Sequence, residues 1–230
     1  MKLPISKRLL CCASMVRPGA RVADIGTDHG YLPIYLVQNH LVLSICASDL
    51  REKPLQKARD NAQAYGVGEQ IRFLQSDGLH NYNGTEMDTV ICAGMGGDLI
   101  CSILEAAPWL QDDRYTLILQ PQSGGQDVRR YLSEHGFFIE KEQMTEDAGF
   151  LYSVMLVHYG KPMKLTPGQQ FFPHHLLVPS PYNAMQYKRL VTSLQQTVSG
   201  MEKSKTPVDE AKKEYYSSAL QELKNMEEMI

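Results

Sequence analysis

The fold is decided by the stretch Val22-Ala-Asp-Ile-Gly-Thr-Asp-His-Gly-Tyr-Leu-Pro33. A short apolar run with strand propensity ends at Asp24, and Gly26 and Gly30 then bracket a tight turn that opens an apolar, helix-like segment. Glycines at this spacing let the backbone approach a ligand where a strand ends and a helix begins. Asp49 closes the next apolar run, at the place where a pair of ribose hydroxyls would be held. The sequence therefore predicts a domain that binds a nucleoside cofactor.

The acidic residues of this turn indicate which nucleoside. A dinucleotide site has the pattern G-x-G-x-x-G, whose amides meet a pyrophosphate, whereas this chain has Asp24-x-Gly26-x-Asp28-x-Gly30. Carboxylates at these positions would repel a pyrophosphate. S-adenosylmethionine carries no phosphate, and its methionine end has an ammonium group that carboxylates can bind. The turn therefore favours S-adenosylmethionine over NAD, with a glycine turn in an unrelated α/β domain as the alternative.

Two later strand ends offer residues of the same kind. The run Ile71-Arg-Phe-Leu-Gln-Ser-Asp-Gly78 ends in an acid that can accept a hydrogen bond from an adenine amino group. The run that begins at Thr89 ends in the cluster Gly94-Met-Gly-Gly97, which has almost no side chain to obstruct a ligand. In open α/β sheets the ligand lies across the carboxyl ends of the strands. The residues predicted to contact the cofactor are Asp24, Gly26, Asp28, Gly30, Asp49, Leu50, Asp77, Gly78, Gly94, Met95 and Gly96.

Composition and cysteine usage are typical of a reduced globular protein. The 230 residues are 43% hydrophobic, which is enough for a core, and no apolar run has the length of a membrane span. The five cysteines, at positions 11, 12, 46, 92 and 101, form no C-x-x-C pair and show no metal-ligand spacing with histidine. We therefore expect reduced core thiols, no metal, no membrane association and a cytoplasmic location.

Charge is distributed unevenly along the chain. The formal net charge is −3; residues 1–160 carry 14 Lys and Arg against 19 Asp and Glu, and residues 161–230 carry 9 against 7. The excess of acidic residues in 1–160 agrees with an acidic pocket around a cationic cofactor. The excess of basic residues in 161–230 permits phosphate contact by the tail without requiring it.

Strand and helix patterns alternate in the first part of the chain, which indicates βαβ units with right-handed crossovers and a mainly parallel sheet. Strands are predicted at 21–25, 43–48, 71–75, 89–93 and 115–119, and helices at 6–15, 31–39, 53–65, 97–107 and 125–135. Residues 137–144 and 151–159 form two more strands with a short link at 145–150, so they are predicted to be an antiparallel hairpin. By analogy of architecture, the predicted fold is α/β with a Rossmann-like class I methyltransferase sheet, mostly parallel with the last strand antiparallel.

Residues 161–230 are predicted to form a C-terminal part that follows a methyltransferase domain at 1–160. A proline-rich stretch at 160–181 is typical of a linker or an irregular wrap, and helical spacing returns from Tyr182. Thr206 is the expected N-cap of a second helix, with Pro207 at its first position. Two amphipathic helices joined by a short turn should pack as an antiparallel coiled-coil hairpin. Its open face carries basic residues, namely Lys203, Lys205, Lys212 and Lys213. A solvated charged face is the default interpretation, and contact with a macromolecular substrate is the alternative.

Several motifs together resemble the bacterial tRNA (adenine-22-N1)-methyltransferases. They are Asp24-Ile-Gly-Thr-Asp-His-Gly-Tyr-Leu-Pro33, Ala93-Gly-Met-Gly-Gly97, Leu119-Gln-Pro121 and the hairpin that carries Glu142, Glu146, Gly149 and Tyr152. The resemblance covers nearly the whole chain, including the leading helix and the C-terminal helical hairpin. It implies S-adenosylmethionine as methyl donor, N1 of an adenine in the D-arm region of tRNA as acceptor, and a coiled coil that helps to hold the tRNA. The basic residues of the C-terminal hairpin are then candidate tRNA contacts.

The chain departs from the family pattern at two positions. The hairpin has Gly149-Phe-Leu-Tyr152 without the expected lysine before the tyrosine, and Gln122 stands where asparagine is expected after Gln-Pro. Neither position is at a predicted cofactor contact, so the departures bear on RNA recognition.

The catalytic candidates are the residues of the first turn, Asp28, His29 and Tyr31. Adenine N1 already carries a lone pair, so the enzyme mainly has to position it, but a paired adenine must first leave its stack. Asp28 can hold the donor or the adenine amine, and His29 can contact phosphate or the base. Tyr31 can stack on the base; the alternatives are a merely exposed histidine and a tyrosine packed inward. The strand end at Ala93–Gly97 lacks the Asn/Asp-Pro-Pro-aromatic motif of many amino-methyltransferases, so another group must bond the exocyclic amine.

Other functions share part of this pattern. A methyltransferase that acts on a small molecule would need no basic tail. A cofactor-binding protein-interaction module would use the helical hairpin for a protein partner, and an NAD oxidoreductase is disfavoured by Asp28. The chain is expected to be a monomer rather than an obligate oligomer.

Overall fold

The computed structural model describes residues 2–162, 164–204 and 206–226. The strands are β1 (Ala20–Ile25), β2 (Val42–Asp49), β3 (Arg72–Gln75), β4 (Thr89–Gly96), β5 (Thr116–Ser123), β6 (Phe137–Asp147) and β7 (Phe150–Tyr159). The helices are α1 (Lys7–Ser14), α2 (Tyr31–Gln38), α3 (Glu52–Ala64), α4 (Gly97–Glu105), α5 (Gly125–Glu134), α6 (Pro167–Phe171), α7 (Pro181–Glu202) and α8 (Glu210–Asn225). Short 3₁₀ turns lie at 68–70, 108–110 and 174–176.

The seven strands form one sheet in the order β3-β2-β1-β4-β5-β7-β6. β1 pairs in parallel with both β2 and β4, and β7 runs antiparallel to its neighbours β5 and β6. The predicted Rossmann-like sheet, mostly parallel with one antiparallel strand, is confirmed. The strand order reverses between β1 and β4, so the carboxyl ends of these strands flank the crevice where open α/β sheets bind ligands.

Both faces of the sheet are buried, and the alternation of side chains along its central strands explains how. Val90 and Cys92 of β4 enter an apolar cluster with residues of α4 and α5, whereas Ile91 enters a second cluster with residues of α1 and α2. Successive side chains of a strand point to opposite faces, so an unbroken apolar run fills both clusters. The strands are therefore held between two layers of helix, and only their ends and loops remain free to build a site.

The strand that precedes α4 extends further than the sequence predicts. The predicted end is residue 93, but β4 continues to Gly96, with register shifts where Met95 pairs with Pro121 and Gly96 with Ser123. The glycines interrupt the apolar pattern, which is why the prediction stops early. Their backbone still pairs with β5, so the strand end reaches into the crevice.

The turn of the hairpin is shorter than the predicted link at 145–150. Only Ala148 and Gly149 connect β6 to β7, and both have positive φ angles, of 50° and 85°. Two-residue turns with positive φ match the twist of the strands that they join. The strands of the hairpin consequently extend past residue 144, and the pairing continues to Asp147 and Phe150.

The proline-rich stretch after β7 packs onto the protein as a wrap. It contains α6, whose first turn is closed by a capping box between Thr166 and Gln169. Phe171, Phe172 and Leu176 of this stretch are buried in an apolar cluster with residues of β6, α7 and α8. The packing agrees with an irregular wrap and not with a free linker.

The last two helices run antiparallel to each other. The Tyr187 hydroxyl, near the start of α7, donates to the Leu223 carbonyl oxygen, near the end of α8, at 2.6 Å. Leu194 and Ala219 are buried in the same apolar cluster. Coiled-coil packing of the pair stays a prediction, since the cluster also takes in the wrap.

The second of these helices begins later than the sequence predicts. Its N-cap is Asp209, whose side chain accepts a hydrogen bond from the Ala211 amide at 2.9 Å, and the first helical residue is Glu210. The predicted N-cap at Thr206 is wrong, because aspartate is the stronger capping residue and stands directly before the helical run.

The five cysteines are free thiols. Within the described ranges, no group of three or more His, Cys, Asp or Glu side chains could hold a metal ion. Among the helices of the same ranges, none combines the length and the apolar character needed to cross a membrane.

Candidate functional site

A cavity of about 650 Å³ opens where the strand order reverses. Its walls come from the ends of β1, β2 and β4, from the loop after β3, and from α1 and α4. The carboxyl ends of parallel strands meet at one edge, so residues far apart in sequence converge there. The predicted residues that line the cavity are Asp24, Gly26, Asp28, His29, Tyr31, Asp49, Leu50, Asp77, Gly78, Gly94 and Met95.

Two of the predicted contact residues, Gly30 and Gly96, lie outside the cavity lining. Gly30 is the N-cap of α2 with φ +72°, and a Cβ in its place would stand 2.9 Å from the Cβ of Ala58 in α3. Gly96 is the N-cap of α4. Gly30 therefore serves the close approach of two helices, and Gly96 serves a junction between strand and helix.

Gly30→Ala is expected to lower the free energy of unfolding by about 2–4 kcal/mol, because it adds a clash with α3 to the strain of positive φ. Gly66→Ala is the matched control, since Gly66 has φ +75° but no atom within 4 Å of the added Cβ. The control should cost only about 1–2 kcal/mol. Urea denaturation measures both losses, and equal losses would show that the approach of α2 to α3 is not tight.

Asp24 and Thr27 bring polar groups to the buried end of the cavity. Burial raises the pKa of Asp24 to about 7, and the nearby charge of Asp49 acts in the same direction. The Thr27 hydroxyl lies close enough to oppose part of this shift, but it makes no hydrogen bond of normal geometry within the described part of the chain. A bound polar ligand with a positive charge would satisfy both groups, so the site fits the ammonium end of S-adenosylmethionine.

The next two strand ends add carboxylates to the same wall. Asp49 is the last residue of β2, and its Oδ1 accepts from the Arg51 amide at 2.9 Å, which fixes the side chain. Asp77 follows β3 with an exposed side chain, and its carbonyl oxygen accepts from His80 Nδ1 at 2.7 Å. Carboxylates accept hydrogen bonds from hydroxyl and amino groups but repel phosphate. The wall therefore fits ribose hydroxyls and an adenine amine.

Apolar surface lies exposed between these acids. Leu50 and Leu99 both line the cavity and are more than half exposed. Large apolar side chains left open in a concave site mark a place where a flat ring would cover them.

The three catalytic candidates are brought together at the turn after β1. Asp28 has a positive φ of 51°, and its Oδ2 lies 2.7 Å from His29 Nδ1. The His29 ring stacks on Tyr31 with centroids 5.6 Å apart and an interplanar angle of 17°, while its carbonyl oxygen accepts from Asn61 Nδ2. Tyr31 lines the cavity and is not packed inward. The turn thus presents one carboxylate and two stacked rings to the cavity.

The sequence predictions missed Arg8, which lines the cavity from α1. Its Nη1 donates to the side-chain oxygen of Gln120 at 2.9 Å, and a Cβ at Gly94 would stand 3.0 Å from the same nitrogen. Gln120 is fully buried in β5, and its Nε2 donates to the Pro121 carbonyl oxygen, so the amide is held in one orientation. No local pattern reveals Arg8, because this contact joins positions 112 residues apart.

Further lining residues without a sequence prediction come from the surrounding loops and helices. They are Pro4, Ser6, Leu9, Ile25, Thr27, Leu32, Arg51, Ser76, Ala93, Leu99 and Ile103. Gln122, which is predicted to lie away from the cofactor contacts, also lines this cavity, because β5 continues to Ser123 beside the end of β4. The N-terminal residues among them show that α1 covers one side of the cavity. Its amphipathic pattern predicts a helix, but only the tertiary structure shows which strand ends it faces.

Fold and site together define a class of protein. A Rossmann-like sheet with one antiparallel strand carries an acidic cavity at its switch point, which is the arrangement of a class I, S-adenosylmethionine-dependent methyltransferase. A family model described as a methyltransferase domain matches residues 5–155. The chain is 35% identical over 159 residues to the tRNA (adenine(22)-N(1))-methyltransferase of Bacillus subtilis, which covers 69% of this chain and 67% of that relative. The chain belongs to this tRNA (adenine(22)-N(1))-methyltransferase family.

Solved structures share the fold over nearly the whole chain. Sp1610 of Streptococcus pneumoniae, in complex with S-adenosyl-L-methionine, is 33% identical with a TM-score of 0.82, covering 96% of this chain and 98% of that chain. The m1A22 tRNA methyltransferase TrmK of B. subtilis is 28% identical with a TM-score of 0.80, covering 99% of this chain and 97% of that chain. The predicted methyltransferase fold and the predicted cofactor, S-adenosylmethionine, are confirmed.

Proposed function

We propose that this chain transfers the methyl group of S-adenosylmethionine to N1 of adenine 22 in tRNA. The observation that carries the proposal is the acidic cavity at the reversal between β1 and β4, in a chain of the tRNA (adenine(22)-N(1))-methyltransferase family. S-adenosylmethionine, when bound, supplies a methyl group attached to a positively charged sulfur. The residues of the chain have to hold the donor, place the adenine in line with it and stabilise the positive charge of the product.

Donor binding is assigned to the four strand ends. Asp24 accepts from the ammonium group, Asp49 from the ribose hydroxyls and Asp77 from the adenine amino group. Leu50 covers a face of the adenine ring, together with Leu99. Small or flexible residues let the backbone reach the donor at Gly26, Gly78, Gly94 and Met95.

The donor also needs a cation, because its methionine end carries a carboxylate. Three lining residues in the described ranges have basic side chains, namely Arg8, His29 and Arg51. Arg51 lies at the end of β2 on the ribose side, and His29 is already bonded to the carboxylate beside it. Arg8 lies against Gly94 near the end of β4 and lines the same cavity as the buried Asp24. Its Nε lies 4.0 Å from Asp147 Oδ2, a longer contact than the 2.7 Å between His29 and Asp28, so its guanidinium is less firmly held. We therefore assign the methionine carboxylate to Arg8.

Arg8→Gln is expected to weaken binding of S-adenosylmethionine about 10-fold to 100-fold, as loss of a hydrogen bond between charged groups does. Lys7→Gln is the matched control, because Lys7 is the neighbouring cation but pairs with Glu146 outside the cavity, at 2.9 Å. Isothermal titration calorimetry measures both dissociation constants. An unchanged affinity of the Arg8 variant would remove this residue from the donor site.

The acceptor side is assigned to the turn after β1. The stacked rings of His29 and Tyr31 offer a flat face to an adenine that has left its stack. Methylation at N1 makes the base cationic, and the exposed carboxylate of Asp28 lies where it can stabilise that charge. No general base is needed to create the nucleophile, so these residues act by positioning and electrostatics.

The tRNA partner is assigned to the C-terminal part, residues 161–230, whereas residues 1–160 hold the donor. Lys203 and Lys212 are exposed near the turn between α7 and α8, and Lys213 is half-buried there; Lys205 lies outside the described residues. If these side chains contact phosphate, the affinity for tRNA falls as salt concentration rises. We also propose a monomer that acts in the cytoplasm, where its thiols stay reduced.

The proposed activity is tested with tritiated S-adenosylmethionine and unmodified bulk tRNA, followed by nucleoside analysis of the product. Label in 1-methyladenosine is the expected result. Label in a different nucleoside would show that the protein is an RNA methyltransferase but would refute methylation at N1 of adenine 22. No label in tRNA, with cofactor binding measured separately, would favour a small-molecule or protein acceptor.

A further inference from the structure

A second cavity, of about 180 Å³, adjoins the cofactor cavity. Gln122, near the end of β5, lines both cavities, so they share a wall. Tyr152 and Ser153 of β7 line the second cavity from the sheet, and Gln186 of α7 lines it from the C-terminal part. The second cavity therefore lies where the methyltransferase sheet meets the C-terminal helices.

The lining of the second cavity mixes polar and apolar side chains, and its charged side chain is paired. Among its described lining residues, Arg129 alone carries a charged side chain, and this side chain is paired with Glu142, with Nε 3.1 Å from Oε2. Arg129 Nη1 also donates to the Gln170 carbonyl oxygen at 2.9 Å. A phosphate would find no unpaired cation here, whereas side-chain amides at Gln122 and Gln186 offer both donors and acceptors. The lining favours a neutral ligand with mixed hydrogen-bonding groups.

The size and the apolar walls of the second cavity fit one planar ring system. A cavity of about 150 Å³ in another protein is large enough to hold benzene. Here the walls include Met144, Leu151, Phe171 and Leu190, besides the ring of Tyr152. Apolar and aromatic walls of this kind stack on a nucleobase irrespective of its identity.

We propose that the second cavity binds the base of the nucleotide next to the methylated adenine. The inference rests on the proposed function: an adenine that leaves its stack to present N1 deprives the neighbouring base of a stacking partner, and the cavity replaces that partner. The shared wall at Gln122 suits two successive nucleotides of one strand. Gln122 and Gln186 bond the edge of the neighbouring base, while the apolar walls cover its faces.

The test uses RNA substrates that lack one base. Methyl transfer is measured on an intact tRNA transcript and on transcripts that are abasic at the nucleotide before or after the target adenine. With the unaltered protein, one of the two abasic transcripts is expected to lose about tenfold or more in kcat/KM, since a stacked base contributes at least that much. The affinity for S-adenosylhomocysteine, measured by calorimetry, should not change.

A filled cavity makes the test specific. Gln186→Trp places an indole in the second cavity, so intact RNA should lose about the same factor in kcat/KM and the abasic change should then add nothing. Gln56→Trp is the matched control, because Gln56 is exposed on α3, outside both cavity linings and outside the C-terminal part, and it should behave like the unaltered protein.

Two results would overturn the proposal. The first is that neither abasic transcript loses activity. The second is that Gln186→Trp and the abasic change lower kcat/KM independently, so that their combined effect is the product of the two separate losses. Failure of the proposed function is a separate outcome, because the unaltered protein would then methylate no tRNA transcript at all.

Discussion

Asp24→Asn is expected to abolish binding of S-adenosylmethionine while making the cofactor-free protein more stable above pH 7. The carboxyl group is buried, and burial raises the pKa of Asp24 from 3.8 to about 7. Between pH 4 and 7 the folded protein keeps a proton that the unfolded chain has released, so the free energy of unfolding falls as pH rises. The loss reaches about 4 kcal/mol at full ionisation. The amide of Asp24→Asn does not ionise, so the variant does not lose this stability as pH rises.

The same pKa gives the binding of the donor a pH dependence in the unaltered protein. The ammonium group needs the ionised carboxylate of Asp24, so the apparent dissociation constant should rise about tenfold for each pH unit below 7 and stay level above it. Calorimetric titrations between about pH 6 and pH 8 measure this dependence.

Asp77→Asn is the matched control for the gain in stability, because it removes an exposed carboxylate from the same cavity. It should weaken donor binding but change the free energy of unfolding by no more than about 0.5 kcal/mol. If Asp24→Asn bound the donor normally, the ammonium group would have to be assigned to another residue. If it lost stability at pH 8, the raised pKa of Asp24 would be contradicted.

Arg129→Met is expected to lower the free energy of unfolding by about 3–5 kcal/mol, because it leaves a buried carboxylate without its main partner. Burial alone would raise the pKa of Glu142, but Arg129, with help from His175, lowers it to about 2. The contribution of Glu142 is therefore present above pH 4.5 and is lost as pH falls towards 2. Arg129 also bonds the Gln170 carbonyl oxygen, so the substitution should release the wrap that carries α6.

Urea denaturation of Arg129→Met and of the control Arg130→Met measures the free energy of unfolding that each substitution costs. Arg130 is the next residue, and it forms a partly exposed ion pair with Asp127 at 2.8 Å, so its loss should cost at most about 1 kcal/mol. The double variant Arg129→Met/Glu142→Leu should recover much of the lost stability, because apolar groups can replace a buried ion pair. Equal costs for the two arginines would refute a structural role for the buried pair.

The local sequence predicts the strands and the acidic residues that line the donor cavity. It predicts the exact ends of the strands and the caps of the helices less well. Unbroken apolar runs identify β1, β4 and β5 because both faces of the sheet are buried. The run of β1 ends in an acid and the run of β4 ends in a glycine, and these residues mark the ligand edge. The glycine cluster hides the extension of β4, since backbone pairing does not need side chains. Asp209 caps α8 in place of Thr206 because capping strength and proximity to the helical run decide the position.

The features of the site that the sequence did not predict depend on contacts between residues that are far apart in the chain. Arg8 gains its position from Gln120 in β5, and the second cavity exists only where the C-terminal helices meet the sheet. The buried ion pair between Arg129 and Glu142 joins a helix to the hairpin, and His175 of the wrap completes it at 3.0 Å. Sequence periodicity and motif spacing do not predict contacts of this kind, because they depend on how helices and strands pack against one another.

The proposed activity is tested most directly by two tRNA transcripts that differ only at position 22. Purified protein and labelled S-adenosylmethionine are incubated with a transcript that has adenine at this position and with one that has guanine. Label is expected in 1-methyladenosine from the adenine transcript and in no nucleoside from the guanine transcript. Equal labelling of both, or no labelling of either by a protein that binds the donor, would contradict methylation of adenine 22.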